Sequence, residues 1–349
     1  MNTLQHTLIN WYEENHRDLP WRHNPTPYQV WLSEVILQQT RVNQGWDYYL
    51  RVIEKWPTIA DLAQASEEEV LKMWQGLGYY SRARNLHQCA KQVVEQHEGQ
   101  FPADFEQLRK LKGIGDYTAA AVASIAFNLP HAVVDGNVYR VLARLFDVET
   151  PINNNEGQKL FARLANELLN REQPSLHNQA MMEFGALHCT PKNPNCLHCP
   201  LQAQCLAFEW QTVMQRPVKL PKLKVKTRYF NYLVIKIGEK VYLHKRDADD
   251  IWKNLYDFPC IESEKNMTVE EVINSEKFIQ LIENMPFTII KTSPTFTHKL
   301  THRTILAQFI EIKLDEELLH IETKDLFLAP ERDLENYPIP RLIDLYLTT

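Results

Sequence analysis

No apolar run at the start of the chain reads as a secretory signal, and no span is long enough for a membrane helix. An Arg/Ser-rich organelle-targeting segment is missing as well. These absences set the expectation of a soluble, cytoplasmic protein of bacterial type with no membrane partner. Internal repeats and low-complexity tracts are absent. So is any excess of positive charge: the net charge is −6, which argues against bulk attraction to a polyanion. Residues 1–227 hold 23 Lys+Arg and 23 Asp+Glu, whereas residues 228–349 hold 15 and 21, so the second part carries the whole deficit. Any nucleic-acid contact must then rest on local basic patches. Strand-like alternation is almost absent before residue 225, so the first part is expected to be all-α.

What is present is an ordinary globular composition, 44% hydrophobic and 23% charged, in a length comfortable for two domains. Of six cysteines, four fall within 17 residues, as Cys189-x6-Cys196-x2-Cys199-x5-Cys205. A disulfide framework is unexpected in a chain without a signal. The middle pair has metal spacing, but the outer spacings are not two paired Cys-x2-Cys knuckles, which weakens a zinc reading. Four thiolates from one short loop also suit an iron–sulfur cluster. Cys89 and Cys260 lie in ordinary apolar or turn contexts and read as inert.

The stretch Leu111–Asp135 organises the first part. Gly113 and Gly115 allow a tight turn and close backbone approach. Asp116 and Thr118 suit the capping of the helix that follows. Helix, Gly-Ile-Gly turn and helix leave free N–H groups at a helix N-terminus, a place for a phosphate. Asp135 follows at a Gly-containing turn, where a carboxylate can face a cleft; the residues alone leave open a plain helix pair with an Asp cap. Glu34 sits in an expected helix, Tyr28–Gln39, among Val30, Trp31, Val35, Ile36 and Leu37. There a carboxyl loses hydration and its pKa rises, which suits a general acid. A wet helix face remains the other reading. Gly76-Leu-Gly-Tyr-Tyr-Ser-Arg-Ala-Arg84 is a basic, aromatic turn fit to stack on bases, or a surface loop with core tyrosines. Further helices are expected at 1–22, Asp61–Gln75, Arg84–Gln96, Val138–Phe146 and Gly157–Leu169. Residues 213–227, rich in Lys and Pro without acid, read as a basic linker, either a solvated tether or a segment along phosphates. Beyond it, strands are expected at Tyr229–Ile237, Lys240–Arg246, Pro286–Thr292, His302–Lys313 and Thr323–Leu328. Helices are expected at Val269–Glu283, capped by Thr268, and Arg341–Leu347, giving an α+β domain.

The Glu34 helix, the Gly-Leu-Gly-Tyr-Tyr turn, the Gly-Ile-Gly hairpin with Asp135 and the four-cysteine loop come in an order and spacing that resembles the helix–hairpin–helix DNA glycosylases with a [4Fe–4S] cluster. Among these the chain is most similar to the adenine-removing MutY family. The resemblance covers nearly the whole chain and implies an all-α helix–hairpin–helix glycosylase domain (1–212, cluster loop 189–205), a basic linker (213–227) and a Nudix-like domain (228–349). It implies one [4Fe–4S] cluster on Cys189, Cys196, Cys199 and Cys205, and a monomer near the nucleoid. The implied substrate is double-stranded DNA with 8-oxoguanine:adenine or guanine:adenine mispairs. By the same resemblance Glu34 protonates adenine, Asp135 stabilises the sugar cation, and Tyr117 and Asn137 support them. Leu19 and Arg22 line the base pocket, and Gln39 and Tyr79 wedge beside 8-oxoguanine. Gly113 and Gly115 hold a phosphate, and Phe296, Thr297 and His298 read 8-oxoguanine from a loop that usually runs Phe-Ser-His. The related endonuclease III, a pyrimidine-damage glycosylase that also cuts the strand, has a catalytic lysine where this chain has Tyr117. A non-catalytic iron–sulfur DNA-binding module is the reading from another class. After Leu255-Tyr-Asp-Phe-Pro259 no Arg-Glu-x-x-Glu-Glu helix follows to hold magnesium, so the second domain reads as a binding fold without hydrolase activity.

Overall fold

The computed structural model describes the chain apart from residues 1–2, 24, 222–224, 283–284, 301 and 316–325. Twelve helices precede the strands among the described residues. They are α1 (Thr3–Asn15), α2 (Pro27–Leu37), α3 (Val42–Lys55), α4 (Ile59–Gln64), α5 (Glu67–Met73), α6 (Ser81–His97), α7 (Phe105–Lys110), α8 (Asp116–Phe127), α9 (Gly136–Leu145), α10 (Asn155–Leu168), α11 (Pro174–Leu187) and α12 (Leu206–Glu209). There follow β1 (Lys226–Ile237), β2 (Lys240–Lys245), β3 (Tyr256–Asp257), β4 (Cys260–Ser263), α13 (Val269–Ile273), α14 (Glu276–Ile282), β5 (Phe287–Thr292), β6 (Phe296–Lys299), β7 (Arg303–Leu314), β8 (Leu326–Pro330) and α15 (Arg341–Leu347). The chain divides into two compact units, residues 1–64 with 85–221 and residues 65–84 with 222–349. No helix among the described residues is long and apolar enough to cross a membrane.

The first unit is helical. Leu8, Leu142, Phe161, Ala180 and Phe184 form its core, with Cys189, Cys199 and Cys205 packed against the edge. Burial of such side chains contributes roughly 1.5–3 kcal/mol each and fixes the helix faces. α2 begins on a reciprocal cap between Thr26 and Gln29 with Pro27 in the first turn. Gly113 turns the chain at φ +77°, and a Cβ there would lie 2.7 Å from Asn85 Cβ, so both conformation and space demand glycine. At Gly115 the backbone is extended and a Cβ would meet nothing, so its missing side chain leaves open space. Gly115, not Asp116 or Thr118, caps α8: Asp116 is its first residue and pairs with Arg109 at 2.5 Å, and Thr118 is buried and accepts from Gln38 at 3.3 Å. Asn178 in α11 holds the turn before Asp135, through the Val133 N–H (3.0 Å), the His131 carbonyl (2.8 Å) and Ser124 Oγ (2.9 Å).

The expected helices are present, except that the first, expected over 1–22, ends at Asn15; α3, α11 and the short α12 are three more that the patterning did not reveal. The stretch 213–221 is not a solvated tether. Arg216 is buried between Asp147 and Glu149, both at 2.8 Å, and the Val218 and Leu220 carbonyls accept from Ile152 and Asn153.

The second unit is built on a mixed sheet of order β3-β2-β1-β7-β5, with β4, β6 and β8 pairing with β1, β7 and β2. The long β1 and β7 run parallel from Lys226↔Arg303 to Lys236↔Lys313. Leu233, Ile235, Ile310, Ile312, Phe278 and Ile282 close one face. The expected helix over Val269–Glu283 is two helices, broken at Asn274 and Ser275. Glu262 and Ser263 belong to a strand that pairs with β1, so no helix stands there. The expected loop around Phe296 is strand β6, antiparallel to β7. Part of the expected strand Thr323–Leu328 lies outside the described residues.

Gly185 sets how close α11 comes to α9, because a Cβ there would lie 2.7 Å from Asn137 Cβ and 2.9 Å from its carbonyl oxygen. Gly185→Ala is expected to cost about 1–3 kcal/mol by overpacking. Gly115→Ala, in open space, should stay within about 0.5 kcal/mol of the parent. Thermal melts of the two variants beside the parent chain check this.

Candidate active site

α2 supplies Glu34. Its neighbours Val30, Trp31, Leu32, Ser33, Val35 and Ile36 are all buried, so the helix has no wet face at this point. Glu34 instead borders a cavity of about 420 Å³ in the first unit. Leu19, Arg22, Gln39, Tyr117, Asp135 and Asn137 border the same cavity. Seven residues that the sequence singled out, spread over more than a hundred positions, thus meet at one place.

The hydroxyl of Tyr117, the second residue of α8, donates to Glu34 Oε2. Burial pushes the Glu34 carboxyl up to about 7; Tyr117 opposes this, the charge of Asp135 adds to it and Arg22 reduces it. Burial also holds the Tyr117 phenol well above its usual range. Asp135 is the N-cap of α9 and accepts from Asn137 N (2.9 Å), Val138 N (2.7 Å) and Asn137 Nδ2 (2.7 Å). Burial leaves its carboxyl above the ordinary carboxylate value, and these three donors with the charge of Arg140 oppose that rise. The helix N-terminus favours the ionised form in the same way.

Asn137 is itself held. Arg140 donates to Asn137 Oδ1 at 2.9 Å, to the Gly185 carbonyl at 2.6 Å and to the Cys189 carbonyl at 2.7 Å. The next basic residue along α9, Arg144, donates to Cys189 Sγ at 3.3 Å and to the Thr190 and Val213 carbonyls. Burial, with the charges of Cys189, Cys205 and Cys196, pushes the Cys199 thiol up to about 11 against a hydrogen bond from the Leu201 backbone. Four thiols on one loop beside the buried Arg144 guanidinium are donors of the type a thiolate-ligated group needs, but among the described residues no group of three or more His, Cys, Asp or Glu side chains is arranged to hold a metal ion.

Glu183 and Arg17 also line the cavity, and the sequence reading missed both. Glu183 accepts from Arg17 N, Nε and Nη2 and from Arg22 Nη2, each at 2.8 Å. Burial alone would raise this carboxyl, but the two arginines hold it at about 2. A lone Glu in the apolar run of α11 was the available signal, the same one that marked Glu34.

Other expected site residues lie elsewhere. Gly113 and Gly115 form the hairpin of the first unit, outside the cavity lining. Tyr79 belongs to the second unit, 46% exposed. Gln39 and Tyr79 share a backbone feature, φ +58° and +51°, uncommon for side chains of their size and frequent at functional sites. On β6 the pleat alternates: Phe296 turns into an aromatic cluster with Phe309 and Tyr346, Thr297 is exposed, and His298 packs on Trp252.

These features define a class, a helical base-excision domain followed by a Nudix-type domain. Residues 32–168 match the HhH-GPD superfamily of base excision DNA repair proteins, and residues 231–349 match the NUDIX domain. The helical part is similar to the structure of a thermostable thymine-DNA glycosylase, at 29% identity and TM-score 0.55 over 59% of this chain and 95% of that one. It is also similar to a non-covalent endonuclease III–DNA complex, at 25% identity and TM-score 0.52 over 60% and 95%. Over 93% of its length the chain is 37% identical to the adenine DNA glycosylase of Arabidopsis thaliana, spanning 59% of that relative. It is 34% identical to the adenine DNA glycosylase of Buchnera aphidicola subsp. Baizongia pistaciae, over 86% of this chain and 83% of that relative. Against the mouse adenine DNA glycosylase it is 44% identical over 60% of this chain and 42% of that relative. The chain belongs to the adenine DNA glycosylase family, enzymes of base excision repair.

The raised Glu34 carboxyl has a consequence for stability. Its folded pKa lies above the unfolded value of 4.5, so the folded state holds the extra proton between about pH 4.5 and 7. The stability it contributes is fully present below that window and falls as pH rises through it. Glu34→Gln should therefore gain stability over the parent by up to about 3 kcal/mol at pH 8 and by little at pH 4.5. Urea unfolding at the two pH values checks both the sign and the window.

Proposed function

We propose that the chain is a monofunctional glycosylase that flips adenine out of 8-oxoguanine:adenine or guanine:adenine pairs and hydrolyses its glycosidic bond. One observation carries the reading: two carboxyls in unlike settings, Glu34 holding its proton up to about pH 7 and Asp135 held by three N–H donors, border one cavity of about 420 Å³. The base must leave the stack to reach it. Glu34 gives its proton to adenine N7. The bond from the sugar C1′ to N9 then breaks with its electron pair on the base. The Asp135 carboxylate faces the oxocarbenium-like sugar, which takes up water, and the proton that water loses returns to Glu34. Tyr117 orients Glu34, and Asn137 orients Asp135. Leu19 and Arg22 form the base pocket, where the buried, ionised Glu183 holds Arg17 and Arg22 in place.

No lysine is among the residues that border this cavity, so no amine is placed to form an imine with the sugar. That favours base release without strand cleavage over the endonuclease III-like alternative. The backbone at Gly113 and Gly115 would take a DNA phosphate. Gln39 and Tyr79 are assigned to wedging beside the base opposite adenine, and Phe296, Thr297 and His298 to reading 8-oxoguanine. Of the last three, exposed Thr297 is the direct contact and Phe296 its anchor. The functional division follows 1–212 for catalysis and 228–349 for reading, joined by 213–227. Cys189, Cys196, Cys199 and Cys205 would hold one [4Fe–4S] cluster, whose chemistry here is to brace the loop. Each loaded chain should contain about four irons, and Cys199→Ser should lose iron and thermal stability together.

Single-turnover cleavage of an 8-oxoguanine:adenine duplex tests the proposal. Adenine should be released, with strand breakage only after alkali. Glu34→Gln and Asp135→Asn should each lower release at least 100-fold while mispair binding persists. Activity of the parent should fall as pH rises through about 7, where Glu34 loses its proton. Direct strand cleavage, or full activity of Glu34→Gln, overturns the reading.

A further inference from the structure

The second unit contains a cavity of about 410 Å³ that the catalytic proposal leaves unused. Tyr79 borders one side and Trp252 another, and Arg84, His302, Arg303 and Asp250 complete the polar wall. All six belong to the same compact unit, because residues 65–84 pack with the C-terminal part of the chain. The turn carrying Tyr79 is tied down from both sides. The Tyr80 hydroxyl donates to the Ile339 carbonyl at 3.2 Å, and Arg84 Nη1 donates to the Lys253 carbonyl at 2.9 Å. Trp252 stands on a left-handed backbone, φ +63°, and its ring lies 5.7 Å from that of His298. The cavity therefore adjoins the strand assigned to 8-oxoguanine, with one indole between them.

Its charge runs against its surroundings. Residues 228–349 have six more acidic than basic groups, yet this cavity gathers two arginines and a histidine against one carboxylate. That carboxylate, Asp250, is already shared between Arg303 at 2.9 Å and Arg228 at 2.7 Å. Arg303 keeps 43% of its side chain exposed. Exposed aromatic surface beside guanidinium groups that outnumber the one carboxylate is the chemistry that takes a nucleotide: a ring for the base or sugar and a fork for the phosphate. A cavity of this volume falls within the range of small-ligand clefts, about 300–1,000 Å³.

We propose that this cavity seats one nucleotide of the strand opposite the adenine, next to the 8-oxoguanine, with Arg303 and Arg84 on its phosphate and the Tyr79 ring against its base or sugar. The proposal rests on the reading that the chain binds mispaired DNA. It adds a phosphate contact made by the second unit, and so a reason for residues 65–84 to be built into that unit. The contact fixes where the damaged strand lies before its base is read.

The test is a charge-neutralisation cycle. Duplexes carry 8-oxoguanine, or guanine, opposite a tetrahydrofuran abasic analogue that cannot react. Single linkages of the 8-oxoguanine strand are replaced one at a time by neutral methylphosphonate. The parent chain should lose about tenfold in affinity at one linkage next to the 8-oxoguanine. Arg303→Gln should bind the unmodified duplex about tenfold more weakly, be indifferent to that linkage, and show a salt slope shallower by about one. Arg303→Lys should retain the coupling. Arg84→Gln repeats the cycle without touching the Asp250 ion pairs. If every linkage affects Arg303→Gln and Arg84→Gln as much as the parent, or none affects the parent, the cavity holds no phosphate and the proposal falls. Equal parent affinity for 8-oxoguanine and guanine duplexes would instead count against the substrate reading above, and the coupling would still decide the cavity.

Discussion

A carboxyl kept without a counter-ion inside a protein wall is the constraint on which this active site depends. Glu34 stands on a helix whose flanking residues are all buried, and it accepts a hydrogen bond from a phenol that is itself held neutral. Burial costs the charged form more than the neutral one, so the proton stays up to about pH 7. The same cavity holds Asp135 and Glu183 in other environments. Backbone and amide donors surround one, and two guanidinium groups surround the other. Three carboxyls in one cavity thus sit in different electrostatic settings because their partners differ in kind.

The frame that holds them is equally specific. Arg140 spans Asn137, the Gly185 carbonyl and the Cys189 carbonyl, so α9, α11 and the start of the cysteine loop share one guanidinium. Gly185 permits the approach, since any side chain there would meet Asn137. The loop therefore bears on Asp135 through two residues, and whatever fixes the loop also fixes the cap of α9.

Much of this was legible in the sequence, for identifiable reasons. Glu34 and Asp135 stand out as carboxyls in apolar or glycine-marked surroundings, and the cysteine loop stands out by spacing. Thr268 makes the reciprocal cap that its position invites. What stayed hidden depends on long-range packing. Arg17, Arg22 and Glu183 meet across more than 160 residues, and no local pattern announces an ion pair of that kind. Asp116 looks like a cap but is drawn to Arg109, leaving Gly115 to end the turn. β6 looked like a loop because its pairing with β7 is supplied by the partner strand. Residues 65–84 read as part of the helical run, yet they pack with the C-terminal unit through Tyr80 and Arg84.

Position 117 joins the chemistry to its limits. A lysine there would place an ammonium where the phenol now meets Glu34. An adjacent cation favours the carboxylate, so it would draw the Glu34 pKa back toward the ordinary range and remove the proton that base protonation needs. The phenol has the opposite effect. It satisfies one carboxyl oxygen while adding no charge, and its own ionisation is suppressed by burial. On the proposed reading, acid catalysis by Glu34 and imine formation at this position would therefore make competing demands on one residue.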